Sequence, residues 1–150
     1  MSIKIFREPE YIEYISTLTK KDWMKLTCFI PEIENTSEFE TKIDYSNQAD
    51  YSEDTIYLPS YQEIELVWKF RNQFIELNLQ LDFDWSDWEV GKHYSDQLDL
   101  HINKLDLLII LKLFTAIIRN DRFCEGALAS CFADGNILLL LKKLKKITNG

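Results

Sequence analysis

Asp121, Arg122 and Glu125 form the sharpest polar cluster in the chain, within the string Asp121-Arg122-Phe123-Cys124-Glu125-Gly126. Carboxylates and a guanidinium beside a helix start can hold an anion, or work as acid and base. The same residue types also serve architecture alone. An aspartate that caps a helix contributes about 1 kcal/mol, and Arg122 can pair with Glu125 or with a carboxylate between residues 82 and 89. The architectural role is the leading expectation, with Asp121, Arg122 and Glu125 as the candidates if there is catalysis.

A second constellation lies at residues 81–91, L-D-F-D-W-S-D-W-E-V-G. Phe83, Trp85 and Trp88 alternate with Asp82, Asp84, Asp87 and Glu89, so Trp85, Asp87, Trp88 and Glu89 are candidate binding residues. Aromatics supply much of the energy of protein interfaces, and flanking acids select a basic partner. The competing reading puts the aromatics in the core, where tryptophans fill much volume. Alternation over so few residues fits an extended segment followed by a turn or one helical turn capped by Ser86.

Other chemistry finds little support. His93 and His101, the two histidines, stand eight residues apart with no cysteine near, a spacing that matches no standard zinc pattern. The three cysteines, Cys28, Cys124 and Cys131, are expected as reduced, buried thiols of a cytosolic protein. No phosphate-loop, dinucleotide-binding, zinc-protease or nucleophile-elbow motif occurs, and four glycines leave little for a phosphate-cradling loop. No metal and no cofactor are expected.

The elements that must position these residues are mainly helical. From Leu105 to Ile118 the chain has scarcely a charge beyond Asp106 and Lys112. A helix apolar on nearly every side belongs inside a core. The expected fold is therefore a single-domain compact helical bundle around this buried central helix. An acidic, partly irregular N-terminal region (1–58) precedes the helical core (59–150), with at most a minor strand pair. Short amphipathic helices are predicted over Glu8–Leu18, with Tyr11, Ile12, Ile15 and Leu18 on one side, and over Lys21–Phe29, ending before Pro31. Glu32–Asp54 holds eight acids and one lysine, a composition suited to a solvated connection with a short strand or helix near Phe39–Ile43. Ser60 and Glu63 read as a capping box opening a helix over Tyr61–Leu77, with Ile64, Val67, Trp68, Phe74 and Ile75 inward. Lys92–Ile102 reads as a polar connection, and Asn103 with Asp106 suits the start of the central helix. Asp121 is placed to cap a short helix through Phe132. Gly135 then breaks the chain. A last helix, Asn136–Ile147, carries its lysines toward the negative helix end.

The string from Thr115 to Leu144, preceded by Phe83–Gly91, resembles a bacterial family of small proteins of unknown function. Arg119, Asp121, Arg122, Phe123, Glu125 and Gly126 carry its R-x-D-R-F-x-E-G pattern. The resemblance covers the C-terminal half and implies a bacterial, cytoplasmic setting. It implies no activity.

Charge decides between the remaining function classes. Residues 1–102 carry 21 acids against 9 bases, a balance of −12, and residues 103–150 carry 4 against 8, a balance of +4, which together give −8. Such a surface disfavours nucleic-acid binding, which needs clustered cations. The apolar run of about 14 residues is shorter than the roughly 20 that span a bilayer, and the opening residues have no signal-peptide core. The leading expectation is a cytoplasmic, non-enzymatic interaction or inhibitor-type protein that binds a basic protein partner. The alternative is a small enzyme at Asp121, Arg122 and Glu125. A homodimer through the leucine-rich C-terminal helices is compatible with either.

Overall fold

The computed structural model describes residues 4–43 and 60–149. Strand β1 (Phe6–Arg7) leads directly into helix α1 (Glu8–Ser16), whose first turn holds Pro9 between Glu8 and Glu10. Proline tolerates that position because its missing N–H has no partner there, and the glutamates face the positive helix end. Tyr11 and Ile15 are buried, but Ile12 is 48% exposed. Residues 11 and 15 share a face at 100° per residue, and residue 12 turns away from it.

Helix α2 (Lys20–Thr27) starts from a capping box that the sequence reading did not foresee. The Thr19 side chain accepts from Asp22 N, and Asp22 Oδ2 accepts from Thr19 N at 2.9 Å. These bonds from Thr19 hold the Asp22 carboxyl below the usual carboxylate range. Trp23, Leu26 and Ile30 are buried. Pro31 ends nothing: it sits in the first turn of a new helix, α3 (Ile30–Glu34), which buries Ile33.

Strand β2 (Glu40–Ile43) pairs antiparallel with β3 (Ser60–Glu63), in the register Glu40 to Glu63 and Thr41 to Gln62. The expected element near Phe39–Ile43 is thus a strand, with Phe39 buried beneath it. Residues 44–59 of the expected irregular segment lie outside the described residues. The predicted Ser60 capping box is overturned, because residues 60–63 pair with β2 and helix α4 (Glu65–Glu76) begins after them, with Ile64 as its N-cap. Trp68 is also misplaced by the sequence reading. The buried stripe is Leu66, Val67, Phe70 and Phe74, whereas Trp68 is 53% exposed.

After α4, Asn78 adopts φ 58°, and Leu81–Asp82 forms β4, parallel to β1. A single 3-10 turn over Trp85–Asp87 follows. The predicted polar connection over 92–102 is instead largely helical: α5 (Glu89–Asp96), α6 (Leu98–His101) and a 3-10 turn at Ile102–Lys104. Leu98 anchors this stretch in the core.

Helix α7 (Leu107–Asp121) is the expected central helix, capped by Asp106, whose Oδ1 accepts from Ile109 N at 2.9 Å. Ile110, Leu111, Leu113, Phe114, Thr115 and Ile118 are buried. Helices α8 (Ala127–Ala133) and α9 (Asn136–Thr148) fold back on it, each entered through a glycine at positive φ, Gly126 and Gly135. The leucines of α9 are consumed in this core: Ile137, Leu140, Leu141 and Leu144 are all buried.

One hydrophobic cluster unites these elements. Its centre is a chain of rings: Phe70 lies 5.6 Å from Phe114 and 5.4 Å from Phe132, and Phe132 lies 5.4 Å from Phe39. Offset and edge-on arrangements of this kind add to the burial of the rings. Tyr11 and Tyr14 tie α1 to the turn after α4, donating to Leu79 O and Leu77 O at 2.6 Å each. Thr115, fully buried, donates to Leu111 O at 2.9 Å and accepts from Leu81 N at 3.4 Å, fastening α7 to β4. The fold is mainly α, with two minor strand pairs among the described residues.

Candidate functional site

A cleft of about 780 Å³ opens where β2, β3, α4, the C-terminal end of α7 and α8 converge. Its polar lining contains Glu40, Glu63, Arg71, Gln80, Arg119, Asp121, Arg122 and Glu125, and its apolar lining contains Ile75, Ile118 and Ala129. The three sequence candidates therefore share one cavity, though they play different parts in it.

Asp121 ends α7 and is fully engaged. Its Oδ1 accepts from Leu128 N at 3.0 Å, and its Oδ2 accepts from Arg71 at 2.8 Å. The expected cap therefore forms, but from across the α7–α8 turn, on the second residue of α8. A backbone amide in a helix's first turn has no partner within the helix, so this contact closes an open valence. Arg71 in turn holds Glu63 through a two-pronged pair of its guanidinium nitrogens on the two carboxylate oxygens. The side chains of Arg71, Glu63 and Asp121 are 19%, 23% and 13% exposed, so this triad lies in the wall rather than out in solvent. The bonds from Glu63, aided by both carboxylate charges, hold the Arg71 guanidinium above its ordinary pKa.

Arg122 and Glu125 are exposed, and among the described residues neither makes an ion pair with the other or with residues 82–89. The pairing expected between Arg122 and the acid-rich segment is therefore not formed among the described residues. Gly126 closes the turn at φ 89°, a conformation that disfavours any side chain, and a Cβ there would stand 3.4 Å from Glu40 Oε1.

Arg71, Glu63, Glu40, Gln80 and Arg119 escaped the sequence reading. For Arg71 a signal existed: it follows Val67 by four residues and precedes Phe74 by three, so it flanks the buried stripe of α4. A cation in that position calls for a buried counter-charge. Glu63 and Arg119 stand in local patterns, the expected capping box and the R-x-D-R-F-x-E-G string, that do not point to a cleft; no local pattern marks Glu40 or Gln80, which are gathered by the β2–β3 pairing and by tertiary packing.

The aromatic segment divides into two parts. Trp88 is structural: it meets Phe83 edge-on at 5.3 Å and lies flat against Gly91, where an added Cβ would stand 2.1 Å from its ring. Lys112, the charge within the apolar run, lies over Phe83 and Trp88 at 5.5 and 5.9 Å and pairs with Glu8 at 2.9 Å. Trp85, by contrast, lies 6.0 Å from Phe123 with the rings tilted by 31°, and Phe123 is 78% exposed. Asp87 and Glu89 flank this pair as exposed carboxylates.

The rings of His93 and His101 lie 4.8 Å apart, tilted by 46°, beside Tyr94. The expected burial of the thiols is corrected in part. Cys28 and Cys124 are exposed, and only Cys131 is half-buried; burial pushes its thiol up to about 11. No helix among the described residues is long and apolar enough to cross a membrane.

No curated protein and no solved structure matches the chain. A family model does, over residues 18–150, so the match begins well before the C-terminal half that carries the motif resemblance. The chain belongs to the family of unknown function DUF6508.

Proposed function

We propose that this chain is a non-enzymatic interaction protein that docks a basic protein partner on the Trp85–Phe123 surface. The observation that carries the reading is Phe123, a phenylalanine 78% exposed whose ring lies 6.0 Å from that of Trp85, tilted by 31°. Leaving so large an apolar side chain in water forgoes about 1.5–3 kcal/mol of burial, a cost that a partner would recover. Residues 82–89 around Trp85 carry four acids and no base, within a chain of net charge −8. Carboxylates around an aromatic anchor suit lysine or arginine side chains, which gain from both the charge and the ring faces.

The test is a pull-down from host lysate at low and moderate salt, with the wild-type chain beside Phe123→Ala and Asp87→Lys/Glu89→Lys. The reading expects a basic protein held by the wild type, less well at higher salt, and released by either variant. It fails if nothing is retained, or if both variants retain the same proteins as the wild type.

The second reading, a small enzyme at Asp121, Arg122 and Glu125, has one observation in its favour: all three line the cleft. Against it, both Asp121 oxygens already accept from fixed donors, so the carboxylate is engaged in holding Arg71 and the start of α8. A panel of chromogenic esters, phosphates and glycosides tests it, and turnover unaffected by Glu125→Gln would sink it.

A further inference from the structure

The cleft divides its charges into two groups. Arg71, Glu63 and Asp121 neutralise one another in the wall. Arg119 and Glu40 do not: both are half-buried and line the same cavity, and neither has an ion-pair partner among the described residues. Since they also fail to pair with each other, their charged heads stand further apart than the 4.0 Å limit of an ion pair. Partly burying two opposite charges in one cavity without joining them is unfavourable unless something between them takes both.

Gln80 supplies an independent sign. It is only 9% exposed and lines the cleft, and no described residue hydrogen-bonds its side chain. Yet no sealed-off side-chain nitrogen or oxygen among the described residues lacks a partner, so the amide head of this cleft-lining residue keeps some access to solvent. The cleft thus offers a cation, an anion and an uncommitted amide above an apolar floor of Ile75, Ile118 and Ala129. Its volume falls within the roughly 300–1,000 Å³ typical of small-molecule sites.

We propose that the cleft binds a small zwitterion, a free amino acid or a short peptide. Arg119 takes its carboxylate, Glu40 takes its ammonium group, Gln80 bonds its polar body and the apolar floor takes its hydrocarbon. The cavity carries four acids (Glu40, Glu63, Asp121, Glu125) against three arginines (Arg71, Arg119, Arg122), a balance of −1 that suits neither a simple anion nor a strong polycation. The inference does not depend on the partner surface at Trp85 and Phe123.

The experiment is calorimetry and thermal shift on the full chain with the twenty free amino acids and a set of dipeptides. Each ligand that binds is then tested in its N-acetyl and its C-terminal amide form. At least one member is expected to bind, and capping either end is expected to weaken it about tenfold or more, because a hydrogen bond to a charged group is at stake. Arg119→Met should weaken the parent ligand similarly and erase its advantage over the amide form. Glu40→Gln should erase the advantage over the N-acetyl form. Neither substitution removes an ion pair, so neither variant should melt below the wild type without ligand. Binding by free amino acids but not dipeptides, or the reverse, identifies which source the cleft takes. The proposal is overturned if no panel member binds at millimolar concentration, if capped forms bind as well as parents, or if Arg119→Met leaves binding unchanged.

Discussion

Arg71 and Asp121 stand fifty residues apart in the chain, and their side chains meet at 2.8 Å. Through this contact, with Glu63 on the other side of the guanidinium, one arginine joins β3, α4 and the end of α7. Replacing Arg71 by Met removes the cation and leaves two largely buried carboxylates facing each other. Breaking a buried pair this way costs about 3–5 kcal/mol, and the partial exposure here brings the expected loss to about 2 kcal/mol. Urea denaturation of Arg71→Met checks it. A loss below about 0.5 kcal/mol would mean that the triad is no more than a surface ion pair.

Tyr11 predicts an alkaline limit to stability. Burial, with Tyr14 adding to it, pushes its phenol well above the ordinary value of 10.0. Below pH 10 the phenol is protonated folded and unfolded alike, so it adds no pH dependence. Above pH 10 the unfolded chain loses the proton and the folded chain does not, so stability falls as the pH rises. Tyr11→Phe should flatten this fall between pH 9.5 and 11. At pH 7 it should cost about 1 kcal/mol for the lost bond to Leu79 O. Denaturation midpoints for both chains at the two ends of that range provide the comparison, and parallel curves would refute the assignment.

Gly91 and Trp88 give a steric prediction. A methyl group at position 91 would stand 2.1 Å from the Trp88 ring, so Gly91→Ala must displace the indole. Overpacking of this kind costs about 1–3 kcal/mol. Because Lys112 lies over the same ring, its contacts with Trp88 and Phe83 should be disturbed together. The check is a lowered melting temperature with a shifted tryptophan emission; an unchanged spectrum would show that the ring does not rest on Gly91.

The thiols should separate by rate. Cys124 and Cys28 are exposed, whereas Cys131 is half-buried with its thiol raised to about 11. Since the thiolate is the reacting species, Cys131 should react with an aromatic disulfide reagent at pH 8 more than tenfold slower than Cys124. Single-cysteine variants resolve the phases, and equal rates would contradict the burial of Cys131.

Two capping patterns show what the sequence could and could not reveal. Thr19-x-x-Asp22 and Ser60-x-x-Glu63 are nearly the same signature, yet only the first becomes a box. The second is drawn into pairing with residues 40–43, a partner that no local pattern can see, and its glutamate goes to Arg71 instead. The central helix was legible because a run as apolar as Leu105 to Ile118 has few places to go other than a core. Asp121, Arg122 and Glu125 were legible as a cluster because they are neighbours in the chain. Glu40 and Gln80 were not, since only the folded arrangement of distant segments brings them to the cavity that Arg119 also lines. Trp68 was misassigned by counting it as apolar, although its angle on α4 turns it away from Leu66 and Phe70.

The turn between α7 and α8 has a last consequence. Arg122 faces the cavity, while its neighbour Phe123 leans on Trp85 outside it. Two adjacent residues on so short a connection cannot be repositioned separately. Any occupant that reorients this corner would alter how the other surface receives its own guest, and thermodynamic reciprocity makes the influence equal in both directions. A hinge of five residues would then let a metabolite-sized molecule and a protein report on each other.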